Sequence, residues 1–199
     1  MAFSGFVFLD TETTGINPRT ETVLEIGIVL VDADYNEIDS KYWITKTVRS
    51  SEVFRQMYAR HDYSYVKEMH VKSGLKEEFE QCREFNRALY VDSITTWLYD
   101  RDADKMPMCG NTIGFDREFL KEHYPEVNDI FHYRSIDVSS IREFYNVRYP
   151  AVAEKVKGRV EEVMGHKDVK HRTISDCRWS METLRAFDEL SMGQVSLDR

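Results

Sequence analysis

The stretch Phe6-Val7-Phe8-Leu9-Asp10-Thr11-Glu12-Thr13-Thr14-Gly15 decides how the chain is read, because an apolar run beginning at Phe3 ends abruptly in two acids one residue apart. The run predicts a buried strand. Side chains two apart on a strand share a face, so Asp10 and Glu12 would stand together at its terminus, just before a Gly-containing turn. An apolar strand has no structural reason to finish in paired acids unless something cationic meets them. Taken alone, the same pair is also what a solvated strand end looks like.

Outward from this strand, a turn with Gly15, Asn17 and Pro18 leads to a second apolar run, Val23 to Val31, broken only by Glu25 and Gly27. Asp32 to Asn36 is turn chemistry, and Ile38 to Thr47, with Tyr42, Trp43 and Ile44, reads as a third strand, giving an antiparallel meander. Later segments differ. Phe79 to Tyr99 reads as mostly helical, Met106 to Asn111 as a short strand, Phe115 to His123 as a short helix, and Tyr133 to Val138 as a strand followed by a helix from about Ser139. Ile174, Cys177, Met181 and Leu184 recur at spacings of three and four, one apolar face of a helix running from Thr173 to about Leu190 with Asp176 on its flank. The charged, Gly-punctuated stretch Ala151 to Lys170 reads as a mobile loop plus a short helix. Strands first, then alternating helices and strands, predict an α/β layer architecture with a mixed sheet. With no repeat or convincing linker, residues 1–190 form one expected domain and 191–199 a C-terminal tail.

The chain has 199 residues, and its 27 Lys+Arg against 35 Asp+Glu give a formal charge of −8. Affinity for long polyanions comes largely from Lys and Arg neutralising phosphates, so any nucleic-acid contact should be short or local. The charge is compatible with a carboxylate cluster that holds cations, since the ions neutralise it locally. No apolar run approaches the ~20 residues that cross a bilayer, and no membrane association is expected. The N-terminal residues lack a basic segment and a small-residue cleavage site, and Cys82, Cys109 and Cys177 are scattered and odd in number. A cytoplasmic location with reduced thiols is the expectation.

Two further segments carry acids at element junctions. In Asn111-Thr112-Ile113-Gly114-Phe115-Asp116, Asp116 is either the N-cap of the helix through Phe119 and Leu120 or a ligand. In His171-Arg172-Thr173-Ile174-Ser175-Asp176, Asp176 is either a first-turn acid complementing the helix dipole or a ligand, and His171 either a surface imidazole or a base. Glu25, inside an apolar strand, is either a buried support or an edge residue.

In chain order, Asp10-x-Glu12, Asn111-x-x-x-Phe115-Asp116 and His171-x-x-x-x-Asp176 resemble the three exonuclease motifs of the DEDDh superfamily. Within it, Phe8 to Gly15, Leu24-Glu25-Ile26-Gly27, Cys109 to Gly114 and Phe131-His132-Tyr133-Arg134-Ser135-Ile136-Asp137-Val138-Ser139 are similar to the oligoribonucleases. The resemblance implies an RNase H-like fold, a mixed five-stranded sheet flanked by helices, with the four acids meeting at one sheet end. It implies a 3′→5′ exonuclease that releases nucleoside 5′-monophosphates from short single-stranded RNA and works as a homodimer. Two divalent cations, Mg²⁺ or Mn²⁺, about 4 Å apart would remove the repulsion among the carboxylates, and oxygen-only ligands suit such hard ions. By family analogy Asp10, Glu12 and Asp176 bridge one ion and Asp10 and Asp116 hold the other. His171 is then the proton acceptor, a task for an imidazole of ordinary pKa about 6.5.

The same resemblance implies substrate-reading roles. Ile16 matches an apolar wedge against a terminal base, Tyr65 an aromatic for stacking, and His70 a histidine near the 3′-terminal nucleotide. Arg134 and Ser139 match a cap on the terminal phosphate, and Tyr133 a tyrosine supplied to the neighbouring subunit's site. The bland alternatives are a turn-packing Ile16, a polar surface loop for Tyr65 and His70, and an ion pair for Arg134. Thr11 and Thr13 replace the Leu and Met usual in oligoribonucleases, Phe115 their Gln and Tyr65 their Trp. The threonines and Phe115 resemble proofreading exonucleases instead, so a DNA-directed trimming enzyme is the rival reading. A non-catalytic binding module and a zinc site at His166, Asp168 and His171 are the others.

Overall fold

The computed structural model describes residues 4–165 and 171–195, without the side chains of 191–195. Strands β1 (Gly5–Thr13), β2 (Val23–Asp32) and β3 (Glu37–Ile44) form the expected antiparallel meander. Two short strands, β4 (Met108–Gly110) and β5 (Ser135–Asp137), add in parallel on the other side of β1, giving the order β3-β2-β1-β4-β5. This is the mixed five-stranded sheet anticipated from the sequence. Between them lie α1 (Val48–Ala59), α2 (Ser64–Lys72), α3 (Leu75–Gln81), α4 (Arg87–Tyr99), α5 (Ile113–His123), α6 (Pro125–Asn128), α7 (Val138–Arg148), α8 (Pro150–Met164) and α9 (Thr173–Val195).

The two faces of β1 are buried against different helices, as period-two alternation requires. Val7 and Leu9 pack with Ile94 and Leu98 of α4 and Phe119 and Leu120 of α5. Phe8 faces the other way and packs with Cys177 and Met181 of α9, with Ile174 and Leu184 alongside. The helical stripe read from the sequence is therefore the face that α9 lays on the sheet. Each fully buried Leu, Ile or Phe in these layers contributes about 1.5–3 kcal/mol relative to exposure.

Gly27 explains how close α9 comes. A Cβ there would stand 2.2 Å from Oγ1 of Thr173 and 2.5 Å from its Cβ, so only glycine lets the first turn of α9 rest on β2.

Two segments depart from expectation. Residues 151–164 form most of one fifteen-residue helix, α8, rather than a mobile loop plus a short helix. Its Val152, Val156 and Val160, spaced by four, pack on Ala186 and Phe187 of α9 beneath an otherwise charged surface. Likewise α9 continues to Val195, past the expected end near Leu190 and into the stretch read as tail. Helix α1, to which the sequence reading gave no structure, and α3, of which it reached only the residues from Phe79 on, bury Phe54, Met57, Leu75 and Phe79 against Leu24 and Ile44, with Val66 of α2 alongside. No helix among the described residues is long and apolar enough to cross a membrane.

Candidate active site

Alternation along β1 continues past the core. Asp10 and Glu12 share the face of Phe8, toward α9, and Asp176 occupies the first turn of that helix. Ligand oxygens of Asp10, Glu12 and Asp176 all lie within 4.8 Å of one another. The β1–β2 pairing shifts register between Glu12 and Thr13, so the strand breaks regularity directly after the acids.

Burial, and after it the charges of Asp176 and Glu25, raise the Glu12 carboxyl from an ordinary 4.5 to about 8. The nearby Arg172 opposes the shift and Asp116 adds to it. Such a cluster cannot fully ionise unless cations neutralise it, and its oxygen-only donors suit hard divalent ions.

Asp116 reaches the same strand end from α5. Its Oδ1 accepts from the Thr11 backbone N–H at 2.8 Å and from Thr11 Oγ1 at 2.7 Å. Thr11 lies on the opposite face of β1 from Asp10, so Asp116 is held beside the trio and outside its 4.8 Å group. The N-cap alternative for Asp116 is not realised. The cap position is Thr112, in the left-handed region at φ 52, and Asp116 sits in the first turn, buried. Burial raises its carboxyl to about 7 against the Thr11 hydrogen bonds, with Asp137 adding repulsion.

In the cation-free protein, Glu12 and Asp116 hold protons more readily folded than unfolded. Stability is therefore highest below their ordinary values and is lost as pH rises toward about 7 for Asp116 and about 8 for Glu12. Divalent cations that bind the ionised cluster reverse that loss. Denaturation with a chelator should give a contribution to Tm that declines from about pH 4 to about pH 8, and Mg²⁺ or Mn²⁺ should raise Tm more at the higher pH. A Tm indifferent to both ions would count against a metal centre here.

Glu25 is a buried support. Paired with Glu12 across the strands, it accepts from the Thr173 backbone N–H at 3.2 Å, from the Thr173 hydroxyl and from Arg172 Nε at 2.7 Å. The same guanidinium donates to Glu78 of α3 at 2.7 Å and lies over the Tyr42 ring. The segment leading into α9, which carries His171, is thus fastened to β2 and α3.

His171 is half-buried and close enough to His70 for its charge to be felt there. His70 is fully buried in the last turn of α2, not on a surface loop. Among the described residues neither of its ring nitrogens finds a well-formed hydrogen bond, although the Thr13 backbone lies alongside, and burial pushes its pKa down to about 4.

Ile16 and Tyr65 line one cavity of about 510 Å³ together with Thr20, Tyr63 and Val66. Ile16 is 85% exposed and Tyr65 72% exposed, so neither is a packing residue. Tyr133 is also exposed, with the Arg134 guanidinium stacked over its ring at 5.3 Å, and among the described residues Arg134 is in no ion pair. Ser139 Oγ donates to Asp137 Oδ1 at 2.6 Å and accepts from the Thr112 N–H at 3.0 Å, with Thr112 Oγ1 3.1 Å away. Thr112, Asp137, Arg117 and Arg172 were not singled out in the sequence; their roles come from contacts between distant segments. His166 and Asp168 of the zinc alternative lie outside the described residues.

Residues 7–184 match the protein family described as Exonuclease. The oligoribonuclease of Colwellia psychrerythraea is 31% identical over 190 residues, covering 94% of this chain and 95% of its own. That of Pseudoalteromonas translucida is 32% identical over 187 residues, covering 94% of each. Among solved structures, the zinc-bound E. coli exonuclease I complex with single-stranded DNA aligns with TM-score 0.57 at 16% identity, over 96% of this chain and 43% of that one. Exonuclease I from Methylocaldum szegediense gives 0.57 at 17%, over 94% and 40%. The chain spans less than half the length of these exonuclease I chains, and at such identity the likeness concerns the fold.

Proposed function

The chain belongs to the exonuclease family, and on that premise we propose that it is a metal-dependent 3′→5′ exoribonuclease releasing nucleoside 5′-monophosphates from short single-stranded oligoribonucleotides. The meeting of Asp10, Glu12 and Asp176, drawn from β1 and α9, carries this reading. Those three residues would hold one cation, and Asp10 with Asp116 the second, Mg²⁺ or Mn²⁺. Bound there, the ions supply Lewis acidity toward the scissile phosphate and the hydrolytic water.

The remaining work falls to side chains. Thr11 commits one oxygen of Asp116 to β1, which leaves Oδ2 to serve as the ligand atom. The imidazole of His171 accepts the proton of the attacking water. Arg172, between Glu25 and Glu78, steadies the backbone from which His171 projects. Ile16 and Tyr65 flank a base across their shared cavity, and His70 backs the 3′-terminal nucleotide from beneath.

Arg134 and Ser139 cap the terminal phosphate, with Ser139 oriented by Asp137. The exposed Tyr133 reaches the neighbouring subunit of a homodimer. The compartment that suits three free cysteines is the reducing cytosol.

Digestion of 5′-labelled RNA with Mg²⁺ should give a ladder shortening from the 3′ end, and none with a chelator. Internal cuts, or no turnover with either Mg²⁺ or Mn²⁺, would overturn the reading. Arg134→Ala should slow dinucleotide hydrolysis by about tenfold, one charge-assisted contact, and leave twenty-mers nearly unchanged. Thr11, Thr13 and Phe115 favour a second reading, DNA-directed trimming; matched DNA oligonucleotides in the same assay decide between them.

A further inference from the structure

Arg117 follows Asp116 on α5 and is buried, yet among the described residues it faces no carboxylate in any hydrogen bond. Its fork is spent on one short segment. Nε donates to Asn128 Oδ1 at 3.2 Å, Nη2 to the His132 carbonyl at 2.5 Å, and Nη1 to the Tyr133 carbonyl at 3.0 Å and Ser135 Oγ at 2.8 Å. Burial lowers its pKa, the cost of placing a cation among neutral acceptors.

The segment it holds has no regular structure at residues 131–134. Besides Arg117, the His132 N–H bonds the Met106 carbonyl at 3.0 Å, and the Arg134 N–H bonds His132 Nδ1 at 3.1 Å. Tyr133 and Arg134 project from this loop into solvent, the Tyr133 ring meeting the Arg134 guanidinium at 5.3 Å and the His132 ring of the same loop at 4.3 Å. Burial does not aim them, so the backbone must, and that backbone is held by the Arg117 guanidinium together with the His132–Met106 bond and the pairing of β5 with β4 that begins at Ser135. Two consecutive residues of α5 thus face two sites. Asp116 is bound to the end of β1, and Arg117 to the loop that presents Arg134.

We propose that Arg117 is a positioning residue that sets the preference for short substrates, by holding the 132–135 loop at a fixed offset from the acids. This rests on the reading of Arg134 as the phosphate cap. A terminal phosphate is read by Arg134 only if the loop stands at the right distance from the scissile bond, so a loosened loop removes the advantage of the shortest oligonucleotides. Lysine cannot replace the arginine, because a single ammonium lacks the planar fork that reaches the Asn128 and Ser135 side chains and the carbonyls of His132, Tyr133 and, at 3.5 Å, Arg134.

The test compares wild type, Arg117→Lys, Ser135→Ala and Arg134→Ala on two-, five- and twenty-nucleotide RNA at saturating Mg²⁺. Ser135→Ala removes one acceptor without touching α5, and so serves if Arg117→Lys folds poorly by circular dichroism. Arg117→Lys should lose about tenfold in kcat/KM on dinucleotides, mostly through KM, and stay within about threefold on twenty-mers. Ser135→Ala should move the same way by less. The Arg117→Lys/Arg134→Ala double variant should be no worse on dinucleotides than Arg134→Ala alone, since both act through one contact. Losses equal at all lengths, or additive in the double variant, would overturn the proposal. A length-blind Arg134→Ala would refute the cap itself, whereas a length-selective Arg134→Ala beside a length-blind Arg117→Lys would overturn the role of Arg117 alone.

Discussion

Replacing Asp176 by asparagine is expected to lower kcat by about a thousandfold or more, equivalent to about 4 kcal/mol of transition-state stabilisation, while the fold survives. The substitution keeps the shape of the side chain and removes one of three charges whose oxygens lie within 4.8 Å of one another. Asp176 is half-buried in the first turn of α9, so its loss forfeits a favourable helix-dipole contact of about 0.3–1 kcal/mol. It also relieves repulsion on Glu12, for which the Asp176 charge is the largest cause of the raised pKa after burial. The chelated variant should therefore melt near the wild-type temperature, and the rise in Tm on adding Mg²⁺ should shrink or vanish. Single-turnover rates and melting curves with and without Mg²⁺ check both halves. Wild-type turnover in Asp176→Asn would remove α9 from the chemistry.

Gly27→Ala should damage stability and rate together. The added methyl would stand 2.2 Å from Thr173 Oγ1, and Thr173 cannot swing away. It is fully buried and bound to Glu25 through both its hydroxyl and its backbone N–H. Either β2 or the first turn of α9 must yield. Overpacking of this kind costs about 2 kcal/mol, lowering Tm by roughly 4–8 °C. A lifted first turn carries Asp176 with it, and a misplacement of about 1 Å can cost on the order of a hundredfold in rate. Thermal melts and kcat measured well below the new Tm separate the two effects. Full activity there would show that α9 can be displaced without cost to the reaction.

How much of this was legible in the sequence follows from which interactions are local. The meander was readable because Val7 to Leu9 is a continuous apolar run and Val23 to Val31 is broken only by Glu25 and Gly27, and α9 because Ile174, Cys177, Met181 and Leu184 repeat at helical spacing. In α8 the same logic was present in Val152, Val156 and Val160, but Gly158 and the surrounding charges masked a stripe that only meets its partner on α9. At the candidate site, the strand period placed Asp10 beside Glu12 correctly. That Asp116 approaches from the other face through Thr11, that Glu25 underpins Thr173, and that His70 is buried beside His171 depend on contacts between segments far apart in sequence. No periodicity encodes those contacts.

Glu25 and Thr173, which seat the last helix on the sheet, are 148 positions apart. A polypeptide leaving the ribosome at about 5–20 residues per second would display Asp10 and Glu12 for roughly 10–30 s before Asp176 could join them. Throughout translation the nascent chain would hold an unfinished cation cage, completed only when α9 docks.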